Sequence, residues 1–125
     1  GAEAFVRFFF DQLNTALTEP RAGLIKSLSD PKCEFCKGTE DTAVYLVREN
    51  ERYATNPVDV IDVEAFVGAP EGQQYLALSM VQKRADIVDA KGVVVATDSR
   101  KDADSNVGVV WSSGRWLMLA VERTE

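Results

Sequence analysis

Helices first and strands afterwards predict an α+β fold, with N-terminal helices packed on a curved antiparallel sheet of about five strands. Three features carry that expectation. Apolar residues recur with helical spacing up to about residue 53, and after Asn56-Pro57 they alternate with a period of two. Turn residues then punctuate the chain at short intervals. Finally, Gln74–Val88 is long for one strand and its apolar parity switches beyond Lys83. A strand that exchanges its buried face in this way is strongly bent, so the sheet should curl around the first helix and enclose a cone-shaped cavity.

The elements follow in order. In residues 3–18, Phe5, Phe8, Phe9, Gln12, Leu13, Ala16 and Leu17 trace a helical stripe that Val6 and Phe10 widen, and Pro20 ends the helix. A short helical turn is expected around Leu24–Leu28. Asp30-Pro31 reads as a helix start, Gly38 as an interruption, and 39–53 as a second helix with Ala43, Leu46, Val47 and Tyr53 inward. Val58–Val67 is a strand with Ile61, Val63, Ala65 and Val67 on one face and a bulge near Val60-Ile61. Ala69–Gly72 is a turn. Leu76, Leu78 and Met80 share a face of the long strand, and Ala85 and Ile87 continue it on the other parity. Asp89–Gly92 turns the chain into a strand at 93–97, and 98–106 reads as a loop or frayed strand ends. Val107–Trp111 and Trp116–Val121 close the domain as a hairpin across Ser112-Ser113-Gly114, with Trp116 and Met118 facing the helix.

With 125 residues the chain reads as one domain, 1–125, large enough to build its own core. The formal net charge is −6, and no run of basic residues exceeds two. A polyanion binder needs a dense basic face, so nucleic acid and anionic membrane surfaces are poor partners. No apolar run approaches the ~20 residues of a membrane helix. The chain opens at Gly1-Ala2-Glu3 with no starting Met, so it reads as a trimmed segment, and the lack of a targeting signal in it says nothing about the protein's address. There is no histidine, which removes every Ser-His, Cys-His and His-metal mechanism.

Several motifs together resemble a family of actinobacterial cell-envelope lipoproteins of unknown function. They are the opening Ala4–Asn14, the run Leu28-Ser29-Asp30-Pro31-Lys32-Cys33-Glu34-Phe35-Cys36, the turn Ala69-Pro70-Glu71-Gly72-Gln73-Gln74, and Trp111–Leu117 near the end. The resemblance covers nearly the whole chain, with Ala69 standing where the family has Gly. It implies a cystatin-like, nuclear-transport-factor-2-like cone. It also implies an extracytoplasmic location on the outer face of the cytoplasmic membrane, with membrane contact only through a lipid on a cysteine upstream of Gly1. It supplies no activity. The partner it allows is an envelope protein or a small ligand.

Cys33 and Cys36 are the only cysteines. A Cys-x-x-Cys pair can be a structural disulfide, a redox pair or half a zinc site. On a helical turn the two Cα atoms lie about 5–5.5 Å apart, within disulfide range, and an oxidising cell exterior would close the bond. A redox pair is expected directly after a strand of a βαβ unit, and zinc needs four ligands; neither context is present. Asp102-Ala103-Asp104-Ser105-Asn106-Val107 begins like a calcium loop, but position six is Val rather than Gly and position twelve is Ser113 rather than Glu, so a solvated hairpin loop is the better reading. No metal or cofactor is expected. Phe9, Tyr45, Tyr75, Asp86 and Trp116 are the residues that could line the cone, either as core or as a pocket. A non-catalytic binding role at the envelope is the leading expectation. The rival is a small-molecule isomerase, dehydratase or cyclase using an inward carboxylate, for which Asp86 is the candidate.

Overall fold

The structure, a computed structural model, describes residues 1–124. Its elements are α1 (Ala2–Thr18), a 3-10 turn (Lys26–Leu28), α2 (Glu34–Glu49), and eight strands: β1 (Arg52–Tyr53), β2 (Val58–Phe66), β3 (Gln73–Gln82), β4 (Ala85–Val88), β5 (Val94–Asp98), β6 (Lys101–Asp102), β7 (Ser105–Ser112) and β8 (Arg115–Arg123). All strand pairs within the sheets are antiparallel. The α+β expectation holds, but the strands form two sheets. The larger runs β2-β3-β7-β8 with β6 also on β3; the smaller runs β1-β4-β5.

The long segment Gln74–Val88 is the reason for two sheets. Rather than bending, it breaks at Lys83-Arg84, and its two halves join different sheets. The parity switch read from the sequence marks that break. Leu76, Leu78 and Met80 are buried on the helix side of β3, and Ala85 and Val88 are buried in the smaller sheet. Of the two readings of 98–106, strand ends hold: the segment has the end of β5, the two-residue β6 and the start of β7, with short loops between them.

α1 crosses the inner face of the large sheet. Val6, Phe9, Phe10 and Leu13 are buried there, together with Leu76, Val107, Val109 and Met118 in one core. Phe9 packs edge-on against Phe10 with centroids 5.2 Å apart. Phe5 is only partly buried against the same core, and Phe8 points to solvent. α1 also closes the free edge of β2. Asn14 Nδ2 donates to the Val58 carbonyl at 2.9 Å, and the Val58 N–H donates to Asn14 Oδ1 at 3.0 Å. One amide side chain thus acts as a strand neighbour for a backbone that has no further strand beside it. At the other end of the helix, the Ala65 N–H donates to a Glu3 carboxylate oxygen at 3.3 Å.

β2 carries its bulge between Val60 and Asp62. The extra residue is Ile61, so Val58, Val60 and Val63 face the core while Ile61 is exposed. The bulge falls where expected; Val63 and Ala65 share one face, opposite Leu78 and Leu76, whereas Ile61 is the bulged residue and Val67 lies beyond the strand, both exposed. A second bulge lies between Gly108 and Val109, where Leu119 of β8 has no opposite residue. It leaves Met118 buried and places Trp116 and Val121 against the core edge. The β7–β8 turn has Ser113 and Gly114 at φ 53° and 82°. Both central residues are left-handed, the geometry of a type I′ hairpin, and Gly114 adopts it without a side-chain penalty.

α2 begins earlier than the sequence implies. Asp30 builds a turn, accepting from the Lys32 N–H at 2.9 Å, and Cys33 is the N-cap, its sulfur accepting from the Cys36 N–H at 3.2 Å. Gly38 lies within the helix and does not interrupt it. Helix packing overrides the cost of one glycine, about 1 kcal/mol relative to Ala. Asn50, at φ 54°, ends the helix, and Tyr53 belongs to β1 rather than to α2. Ala43 and Leu46 face inward as expected, whereas Val47 is exposed.

Candidate functional site

Cys33 and Cys36 are bonded to each other, with Cα atoms 5.2 Å apart. Both are buried. The bond fixes the first turn of α2 against Asp30, whose N–H donates to the Met118 carbonyl at 2.8 Å. Glu40, one turn beyond Cys36, accepts from the N–H groups of Gly23 and Lys26 at 2.6 and 3.0 Å and ties down the preceding loop. The disulfide is thus one of several clamps on the α1–α2 connection. A reactive pair needs an exposed, thiolate-stabilising surround, and this one is enclosed.

The structure does not bring the five cone-lining candidates into one pocket. Phe9 is wholly buried and fills the inner face of the sheet. Tyr45 is 46% exposed on the outer side of α2, with the Arg48 guanidinium 5.2 Å from its ring centre. Tyr75 lies on the opposite face of the large sheet from Phe9, because β3 alternates and Leu76 takes the inward position. Trp116 is partly buried and meets Trp111 edge-on at 5.2 Å; Trp111 itself is 52% exposed. Asp86 is in the smaller sheet, accepting from Thr97 Oγ1 at 2.8 Å and paired with Arg84 at 3.4 Å. Phe9 and Tyr75 lie on opposite sides of the large sheet and Asp86 belongs to the smaller one, so the five side chains do not converge.

The space left on the concave side is a cleft of about 340 Å³ between the C-terminal half of α1, α2 and the end of β3. Leu13, Leu17 and Met80 form its apolar floor, and Thr39, Thr42 and Gln82 line its rim. Gly38 opens onto it; a methyl group there would meet nothing within 4 Å. Tyr53 contributes the one strongly perturbed titratable group. Its hydroxyl donates to Asp98 Oδ2 at 2.6 Å. Burial, then the hydrogen bond and charge of Asp98, hold the phenol well above its ordinary range. It therefore stays protonated and cannot serve as a base at neutral pH. Among the described residues, every buried side-chain nitrogen or oxygen has a hydrogen-bond partner. No group of three or more Asp, Glu or Cys side chains among them is placed to hold a metal ion. In the Asp102–Val107 segment Asp102 ends β6, Ala103 and Asp104 link it to β7, and Asp104 Oδ1 accepts from Ser79 Oγ at 3.2 Å. The cleft can shelter a small apolar group and offer it hydroxyl and amide contacts at the rim. Sequence reasoning missed the Tyr53–Asp98 pair because its members lie 45 residues apart and in strands too short to announce themselves.

No family model matches the chain, and no curated protein matches it. Solved structures do. The intermembrane space region of the chloroplast protein ARC6 superposes with a TM-score of 0.65 at 17% identity, over 98% of this chain and 95% of that one. Aln2 from a Streptomyces species gives 0.54 at 11% identity, over 96% and 85%. An uncharacterised protein from Caulobacter vibrioides, described as having a cystatin-like fold, gives 0.57 at 14% identity, over 98% and 86%. At these identities the likeness establishes the fold alone, and that fold is cystatin-like.

Proposed function

We propose that this is a non-catalytic interaction domain that works outside the cytoplasm. In this reading it is held at the outer face of the membrane by a lipid upstream of Gly1 and presents its surface to an envelope protein or a small ligand. The observation that carries the reading is that no carboxylate among the described residues lines the cleft left on the concave side. Phe9 and Phe10 occupy the place where a cone-fold enzyme would need an open pocket, and Asp86, the carboxylate offered for catalysis, is in the other sheet and already bonded. The closed Cys33–Cys36 bond supports an oxidising compartment. No helix among the described residues is long and apolar enough to cross a membrane. The lipid anchor and the actinobacterial envelope in this reading come from the sequence resemblance alone.

The test uses the full-length protein in the cell it comes from. A clickable fatty-acid analogue should label its mature N-terminal cysteine, and protease added to intact spheroplasts should remove this domain. An unlabelled protein, shielded until the cells are lysed, would overturn the reading.

A further inference from the structure

The outer face of the large sheet, opposite α1, is uncovered by any helix, and its side chains fall into rows. β3 runs down the middle with small residues, Val81, Ser79 and Ala77, and on both sides of them stand carboxylates. Register puts Asp59 and Asp102 beside Val81. Asp62 pairs with Ser79, whose hydroxyl donates to Asp104 across the other side. Glu64 pairs with Ala77, which pairs with Asn106, which pairs with Glu122. The next row changes character: Phe66, Tyr75, Gly108 and Ala120 lie side by side, with the Phe66 and Tyr75 rings 5.7 Å apart. Gly108 leaves room for the Tyr75 ring; a Cβ there would stand 3.9 Å from it.

Six carboxylates thus flank a shallow trough that ends in an aromatic wall. A hollow of about 240 Å³ lies in it, lined by Asp62, Glu64, Ala77, Ser79, Asp104 and Asn106. The basic groups at its margin are Arg100, 3.4 Å from Asp102, and Arg123, which donates to the Asp102 carbonyl. The excess acidity of the whole chain is −6, so much of it is concentrated here rather than spread. Like charges in adjacent rows repel, and a sheet face needs no such arrangement to fold.

We infer that this trough is a docking groove for an extended basic segment of a partner protein, its cationic side chains between the carboxylate banks and an apolar side chain against Phe66 and Tyr75. Successive rows are spaced by two strand residues, about 6.7 Å, which is also the same-face repeat of an extended chain. Asp59 and Asp102 stand two strand spacings apart, about 10 Å, wide enough for one such chain, and Glu122 stands one strand further out. Charge selects among occupants. A second copy of this face would bring carboxylates against carboxylates, and anionic lipid or nucleic acid would be repelled.

The inference rests on the interaction-domain reading, but it can fail while export and anchoring hold. The probe is a short fluorescein-labelled peptide alternating Lys with Ser and ending in Leu-Trp, with a counterpart carrying Glu for Lys. Anisotropy should show salt-sensitive binding of the Lys peptide alone. The triple variant Asp62→Asn, Glu64→Gln, Asp104→Asn should weaken it about tenfold, the product of three exposed ion pairs each worth roughly a factor of two. Removing the same charge from the helices, through Asp11→Asn, Asp41→Asn and Glu49→Gln, should leave binding unchanged. The sheet variant should melt no lower than the parent, since its carboxylates serve a partner and not the fold. Equal weakening by both variants would reduce the effect to general attraction and overturn the inference. So would a Lys peptide that fails to bind at low salt, a sheet variant that melts lower, or a concentration-dependent dimer formed through this face.

Discussion

Asn14 offers the sharpest test of how the helix and sheet are joined. It is 8% exposed, and its side-chain amide makes both bonds to the Val58 backbone, at 2.9 and 3.0 Å. Asn14→Ala removes two bonds worth about 1 kcal/mol each and leaves a half-buried N–H and C=O with no protein partner. Partial access of water to Val58 limits the second loss, so the total should be about 2–3 kcal/mol. For a domain of this size that corresponds to a fall in Tm of about 8–12 °C. Asn14→Asp is more discriminating. The carboxylate still accepts from the Val58 N–H but opposes its carbonyl. The variant should be worse than Asn14→Ala at neutral pH and should recover as the solution is acidified, because a protonated carboxyl can donate again. The folded-state pKa of that new group would be raised, so the penalty is present above it and relieved below. Thermal and urea denaturation across pH, with the disulfide intact, measure both effects. A fall of under ~2 °C for Asn14→Ala, or an Asn14→Asp variant indifferent to pH, would show that the edge of β2 does not depend on this side chain.

Four further outcomes are expected. Phe9→Ala should cost about 3–5 kcal/mol, whereas Phe8→Ala, at a position 48% exposed, should cost under ~1 kcal/mol; equal effects in urea titrations would place the helix stripe wrongly. Gly38→Ala should stabilise the domain by about 0.5–1 kcal/mol, since the site is helical and open, and a loss in Tm would contradict the empty space beside it. Because the Tyr53 pKa is raised on folding, its contribution is intact below the unfolded value near 10 and falls away as pH rises further; Tyr53→Phe should flatten the alkaline limb of the stability curve. Alkylation of the native, unreduced protein should leave Cys33 and Cys36 unlabelled, and reduction should cost roughly 2 kcal/mol, read as a lower urea midpoint.

Periodicity made the framework readable. The stripe Val6–Leu13, the alternation Leu76–Met80 and the turn Ser112–Gly114 each carry their geometry in residue type, because burial and positive φ select side chains locally. What was not readable depends on partners far along the chain. Val67 continues the parity of Val63 and Ala65 in the sequence, but β2 ends at Phe66 and leaves it 93% exposed. The break at Lys83-Arg84 assigns the two halves of one apolar segment to different sheets, which separates Asp86 from Tyr75. The first turn of α2 is capped by a sulfur rather than by Asp30, and that depends on the disulfide. The carboxylate rows were also visible one strand at a time, as Asp59, Asp62 and Glu64 and again as Asp102 and Asp104. Only the pairing across β3 makes them a face.

The order in which α1 and its cover are synthesised has a consequence for how the protein is made. The helix with its buried aromatic face is the first element of this chain, and Val109 and Met118, which help to cover it, come about 100 residues later. At ribosomal speeds of about 5–20 residues per second, Phe9 and Phe10 wait on the order of 5–20 seconds for their partners. The closing hairpin β7–β8 is local and can form at once, but it has nothing to pack on until the helix arrives against it. A chain that makes its buried aromatic helix first and covers it last spends that interval with Phe9 and Phe10 open to other apolar surfaces.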